Sequence, residues 1–320
     1  MTLLEVSELK TWFETPAGTV KAVDGVSFSL AKGEIIGLVG ESGSGKSITG
    51  FSILGLVDPP GKVVGGTIRF NGEDLRAASE ARLRALRGDR IAMIFQDPMM
   101  TLNPVLSIGT QMVETVLAHR RMSRADARAK ARDALGRVGI PRPEERLDAY
   151  PHEFSGGMRQ RVAIATALLH EPDLIIADEP TTALDVTIQS QILSEVQGLA
   201  AEMGMGLIWI SHDLGVVAGL ADRIAVMYAG RIVEEGPRDD VLDTPRHPYT
   251  SGLVASAPIA NERGKPLRQI RGSAPSALHR PEGCAFRPRC DHAGDLCVND
   301  VPETCAAPRR WRCFYPLGSS

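Results

Sequence analysis

The first 283 of the 320 residues contain no cysteine, which excludes a disulfide framework or thiol chemistry from most of the chain. No apolar run reaches the roughly 18–20 residues that a bilayer span requires. The opening MTLLEVSELK is acidic where a secretory signal is basic and then apolar. A formal net charge of only −3 gives no electrostatic reason to expect nucleic acid. No internal repeat is visible. The expected setting is the cytoplasm, where clustered thiols point to metal or redox chemistry. What is present is ordinary for a globular protein. Hydrophobic residues make up 43% and charged residues 23%, enough core for one large domain or two smaller ones.

Short apolar runs bounded by Gly, Asp or Pro alternate with longer helical patterns. GEIIGLVG, RIAMIFQ, DLIIADE, GLIWISHD and RIAVMYAG read as buried strands rich in Ile and Val. KSITGFSILGL and TIQSQILSEVQGLAAEM read as helices between them. Such alternation implies a parallel sheet covered on both faces, so the expected class is α/β. From about Pro98 to Leu169 no strand pattern occurs, and RADARAKARDALGRV is strongly helical. The expected division is an α/β core from residues 1–97 and 170–236, a helical subdomain at 98–169, and a Pro-, Arg- and His-rich extension at 237–320. The terminal GSS carries no weight in this reading.

GLVGESGSGKS sets Gly40, Gly45, Lys46 and Ser47 at the fixed positions of a phosphate-binding P-loop. Glycines let backbone N–H groups turn inward around a phosphate. Ser42, Gly43 and Ser44 supply further amides, and the helix that continues through Ile48 offers its positive end. Lys46 is expected to reach the β- and γ-phosphates, and the Ser47 hydroxyl to bind Mg²⁺. An apolar strand before the loop and a helical pattern after it give the context the motif requires. DLIIADEP supplies carboxylates: Asp178, ending a strand, to hold Mg²⁺ through water, and Glu179 to orient an attacking water as general base.

With those motifs on either side of it, FSGGMRQRVAIATALL, from Phe154 to Leu169, resembles the signature segment of the ATP-binding subunits of ABC transporters. The resemblance implies an ABC-type P-loop NTPase with a RecA-like core. It implies that Ser155, Gly156 and Gly157 face the γ-phosphate of ATP bound by a second subunit, although Met158 stands where the commonest version has Gln. By the same resemblance Gln96 in IFQDP matches the Q-loop glutamine, which contacts Mg²⁺ and the attacking water. Asp185 in TTALD matches the loop that crosses the dimer interface, and His212 in IWISHD the switch histidine. Phe13 in TWFETPAG matches the aromatic that stacks on adenine, with Trp12 as the competitor. QDPMMTLNPVLSIGTQ, HPYTSGLVASAP and the cysteine tail are similar to the dipeptide and oligopeptide importer branch, so the likeness spans essentially the whole chain. The implied partners are a second ATPase subunit (paralogue or copy), two membrane permeases and, through them, a substrate-binding protein. The implied location is peripheral, on the cytoplasmic face of the inner membrane. The stiff Pro98–Pro104 stretch after Gln96 is a candidate for passing a nucleotide-dependent shift to the permease. Nickel or another small solute is the alternative cargo. A soluble ABC ATPase of DNA repair or translation fits less well, because neither a long coiled-coil insertion nor a second cassette is present.

All five cysteines, Cys284, Cys290, Cys297, Cys305 and Cys313, lie in the last 37 residues. Their spacing lacks the C-x₂-C knuckles of structural zinc, and loose all-cysteine spacing suits an iron–sulfur cluster. A zinc site and unliganded thiols remain alternatives. The family resemblance implies a [4Fe–4S] cluster on Cys284, Cys290, Cys297 and Cys313, leaving Cys305 spare. The nearby Arg287, Arg289, Arg309, Arg310 and Arg312 would offset its charge. Its expected role is to staple a tail too poor in apolar periodicity to build its own core.

Overall fold

The computed structural model describes residues 1–181, 185–257 and 268–318, and all their side chains except those of Met99, Met100 and Val186. Thr182, Ala183 and Leu184 of TTALD, the last residue of HPYTSGLVASAP and the two terminal serines lie outside the described residues. The chain divides into two compact units, Met1–Ala77 with Trp209–Ser320, and Ala78–Ile208.

The first unit opens with β1 (Thr2–Thr15), β2 (Gly18–Ala31), β3 (Ile35–Val39), α1 (Lys46–Leu54), β4 (Gly61–Phe70) and β5 (Glu73–Asp74). The second carries α2 (Glu80–Leu86), β6 (Ile91–Ile94), α3 (Pro98–Thr101), α4 (Ile108–His119), α5 (Arg124–Arg137), α6 (Pro143–Arg146), α7 (Gly156–Leu168), β7 (Leu174–Asp178) and α8 (Val186–Met203). Strand β8 (Gly206–Ser211) returns the chain to the first unit, which continues with α9 (Leu214–Leu220), β9 (Arg223–Tyr228) and β10 (Arg231–Pro237). It ends with α10 (Arg238–Asp243), α11 (Pro248–Ser256), β11 (Thr304–Ala306) and β12 (Arg309–Trp311).

All five apolar runs form strands, and the three helical patterns form α1, α5 and α8. The expectation of a parallel sheet alone needs correction. Strands β3 and β9 pair in parallel, as do β6 and β7, but β10 runs antiparallel to β9. A separate antiparallel sheet has the order β2-β1-β4-β5. The fold is mixed α/β. The sequence pattern hides β1 because its pairing slips register between Val6 and Leu9, and a bulge breaks the period of two that marks a half-buried strand.

Local chemistry sets the framework that carries the loops. In the first unit β3 buries all five residues, and a Cβ added at Gly37 would stand 2.0 Å from Val217 Cγ1 of α9, so only glycine lets that helix lie so close to the strand. In the second unit Ser79, Ser107, Ser123 and Ser155 each cap a helix by accepting from the N–H three residues on. Those helices turn Val116, Ala131, Leu135 and Val162 wholly inward. Burying each larger aliphatic contributes roughly 1.5–3 kcal/mol.

Candidate functional site

In the first unit the phosphate loop joins β3 to α1. Its shape depends on glycine at two places. Gly45 sits at φ 103 as the N-cap of α1, and a Cβ there would lie 2.4 Å from the Ala22 carbonyl oxygen. Gly40 has φ +156, with the Met227 carbonyl oxygen only 2.2 Å from its imagined Cβ. The loop is therefore threaded against two backbones, as a glycine-rich turn whose N–H groups are to cradle an anion requires. Lys46 is buried and donates from Nζ to the carbonyls of Gly40 at 2.8 Å and Glu41 at 3.1 Å, which holds its ammonium over the loop. Ser47 and Ile48 follow in the first turn of α1, while Ser42 and Gly43 are exposed at the loop's crown and Ser44 is buried. On β1, Phe13 packs its ring edge onto Gly61 of β4, and Trp12 lies under the Lys21 ammonium at 4.8 Å. His212 follows β8 and is exposed. Its neighbour Asp213 caps α9 by accepting from Gly215 N–H at 2.8 Å.

In the second unit β7 delivers a buried Asp178 at its end. The next residue, Glu179, has φ 45, a left-handed conformation that costs a non-glycine residue roughly 1–3 kcal/mol and concentrates at functional sites. Gln96, just after β6, donates from Nε2 to the Glu179 carboxylate at 3.3 Å, so two residues 83 positions apart meet. Ser155 caps α7 by accepting from Met158 N–H at 3.3 Å. Ser155 and Gly156 are exposed at the positive end of that helix, and a Cβ at Gly157 would stand 2.9 Å from Ile188 of α8. Asp185 caps α8, accepting from Ile188 N–H at 3.0 Å. The Pro98–Pro104 stretch is a turn of helix followed by a bracketed loop. Gln111 accepts from Asn103 N–H at 2.8 Å and donates to the carbonyls of Asn103 and Leu106. That clamp presents Val105 at 75% exposure and Leu106 at 40%.

The tail gathers Cys284, Cys290, Cys297 and Cys313 around one cavity, with Phe286 and Tyr315 also lining it. Cys305 is exposed on β11. Burial pushes the thiols of Cys284 and Cys290 up, and that of Cys313 up to about 12. Among the described residues no three His, Cys, Asp or Glu side chains close into a metal-holding group. The four thiols thus share a cavity without converging on a point, and the cluster expected from the sequence is not seen as a formed ligand set.

Two residues of this region, Glu41 and Tyr249, escaped the sequence reading, and a third, Arg289, stands in it only as an offset to cluster charge. Glu41, inside the phosphate loop, pairs its carboxylate with Arg289 at 2.8 and 3.0 Å, and its N–H donates to Tyr249 Oη at 2.9 Å. Burial alone would pull the Arg289 guanidinium down, but its bonds to Glu41 and Tyr228 outweigh that and hold it above its ordinary value. The signal was present in part, since Tyr249 belongs to HPYTSG and Arg289 sits beside Cys290.

Two family models match the chain, ABC transporter over residues 23–182 and the oligopeptide/dipeptide transporter C-terminal region over 233–297. The oligopeptide transport ATP-binding protein OppD of Salmonella typhimurium is 48% identical over 316 residues, 98% of this chain and 94% of its own. The dipeptide transport ATP-binding protein DppD of Bacillus subtilis is 51% identical over 301 residues, 94% of this chain and 90% of its own. Among solved structures, a dimeric ATP-binding cassette in a post-hydrolysis state with ADP and Pi is similar, with TM-score 0.67 and 26% identity. It covers 73% of this chain and 98% of its own.

Proposed function

The chain belongs to the ABC transporter family of ATP-binding proteins, and on that premise we propose that it is the ATP-hydrolysing subunit of a peptide importer. One observation carries the peptide reading: the likeness to peptide-transport relatives runs through the C-terminal region, residues 233–297, beyond the segment that ABC ATPases share. The runner-up, an importer of nickel or another small solute, would use the same ATPase. Reconstitution with its permeases and binding protein separates them. Peptide should stimulate ATP hydrolysis severalfold, and stimulation by Ni²⁺ but not by peptide would overturn the cargo assignment.

Residues 1–97 and 170–236 serve as the ATP-binding core, 98–169 as the signature subdomain and 237–320 as an extension. The loop amides from Gly40 to Gly45, with Lys46, bind the phosphates, and Phe13 stacks on adenine. Ser47 and Gln96 would hold Mg²⁺ directly and Asp178 through water, and the ion would supply neutralisation of charge on the transferred phosphoryl group. Glu179 accepts the proton of the attacking water, and its hydrogen bond from Gln96 favours that orientation. His212 is the switch histidine, and Asp185 and Ser155–Gly157 face a second ATPase subunit. The importer reading places the chain as a peripheral subunit on the cytoplasmic face; among the described residues no helix is long and apolar enough to cross a membrane. The exposed Val105 and Leu106 suit contact with a permease. Glu179→Gln should retain ATP binding while phosphate release falls on the order of 10²–10⁴-fold. Release at the wild-type rate would remove Glu179 from the role of base.

The shared cavity of four thiols and the outlying Cys305 support a [4Fe–4S] cluster on Cys284, Cys290, Cys297 and Cys313. Anaerobic purification should give brown protein. Alanine at any of those four should remove the colour, and Cys305→Ala should keep it. A colourless protein with one zinc per chain and no iron would refute the cluster.

A further inference from the structure

Glu41 is held by every polar group it has. Its carboxylate receives two bonds from Arg289, and its N–H donates to Tyr249 Oη. Its carbonyl accepts from Lys46 Nζ at 3.1 Å and from Ser44 N–H at 3.2 Å. The two outer supports come from distant parts of the chain, 248 and 208 residues away. Both are fixed in turn. Arg289 is buried and also donates to the carbonyl of Arg271 at 2.8 Å. Tyr249 is fully buried, its ring tilted against those of Tyr228 and Phe286 with centroids 4.5 and 5.3 Å away. Phe286 in turn lines the cavity of the four thiols. A continuous packed path therefore runs from the cysteine cavity to the residue whose carbonyl orients the P-loop lysine.

We propose that Arg289 is a positioning residue for the phosphate-binding loop, and that with Tyr249 it lets the cysteine-bearing segment set the loop's affinity for nucleotide. The inference rests on the reading that this loop binds ATP. Arginine suits the task because its planar fork meets both carboxylate oxygens at once, which fixes the direction of Glu41 as a lysine point charge would not. A loop held in its binding shape before the ligand arrives spends less of the interaction on ordering. Binding coupling is reciprocal, so nucleotide must also steady the segment that carries Arg289.

The test uses the full chain, MgATP binding by calorimetry and hydrogen exchange over residues 284–297. Arg289→Gln should weaken MgATP binding about tenfold, within the range of such couplings, and Arg289→Lys should restore part of the loss. Glu41→Gln should weaken binding similarly. The double variant should lose no more than the worse single, because both act through one contact. In the wild type MgATP should slow exchange at 284–297, a readout that needs no variant to fold and that a merely structural contact would not move. Full additivity in the double variant, or exchange at 284–297 indifferent to MgATP, would overturn the proposal alone. Wild-type MgATP binding by Lys46→Ala would overturn the nucleotide reading and the proposal with it.

Discussion

Gly43 and Gly45 stand two residues apart in the phosphate loop, both with positive φ, yet their surroundings differ. At Gly45 (φ +103) a methyl group would meet the Ala22 carbonyl oxygen at 2.4 Å, whereas at Gly43 (φ +77) nothing lies within 4 Å. Alanine at Gly43 should cost only the left-handed penalty, roughly 1–2 kcal/mol. Alanine at Gly45 adds an encounter with backbone that cannot step aside, so its loss should exceed that of Gly43→Ala by about 1–3 kcal/mol. Thermal unfolding of the two variants side by side checks the ranking, and equal shifts would show that the loop is not pressed on Ala22. MgATP binding should follow the same order. The motif made both glycines visible in the sequence, but the different reasons for them depend on Ala22, which is distant in sequence and carries no signal of its own.

Elements were legible where burial was continuous. Strands β3, β7 and β8 expose almost nothing, so their apolar runs have one reading. Strands β11 and β12 were not legible: three residues each, none buried, they depend on β10, with which β12 pairs through Glu234 and Glu235. Arg310 and Arg309 reach those same carboxylates, a pattern of charge that looks like solvated surface in sequence. The helical unit holds a similar hidden feature at His170, just past α7. The residue is 5% exposed, and its Nε2 lies 3.1 Å from the Thr115 carbonyl oxygen of α4, which can only accept, so that nitrogen carries the proton. His119 stands edge-on at 5.0 Å, Asp89 lies 3.9 Å from Nδ1, and the Arg120 and Lys130 cations also act on it. Burial first, then those neighbouring cations, hold His170 below its ordinary 6.5 despite the opposing Thr115 bond. The unfolded chain therefore binds this proton more readily, and the stability involved is fully present above pH 6.5 and declines as pH falls below it. Between pH 7.5 and 5.5 the wild type should lose more thermal stability than His170→Gln, whose amide can still donate to Thr115. Equal losses would show that His170 does not titrate on unfolding.

At the scale of the molecule, the phosphate loop and the signature helix invite a second copy or a paralogue. The N-terminus of α7 is a positive helix end whose leading residues, Ser155 and Gly156, are exposed, and the Ser155 hydroxyl is engaged locally as the cap. A helix end with small residues at its tip accepts a phosphate oxygen closely, and under the proposed function that oxygen belongs to ATP on a second subunit. Blocking hydrolysis should preserve that bridge. In a Glu179→Gln background, MgATP should shift sedimentation from monomer to dimer, most strongly with the matching partner subunit. Two changes at Ser155 separate cap from contact. Ser155→Ala removes the cap hydroxyl and should cost about 1 kcal/mol of stability while leaving the backbone amides to face the nucleotide. Ser155→Arg places a long side chain across those amides, and should abolish the ATP-driven dimer while each monomer still binds ATP. Dimerisation and turnover both intact in Ser155→Arg would show that α7 does not face the nucleotide of a second subunit.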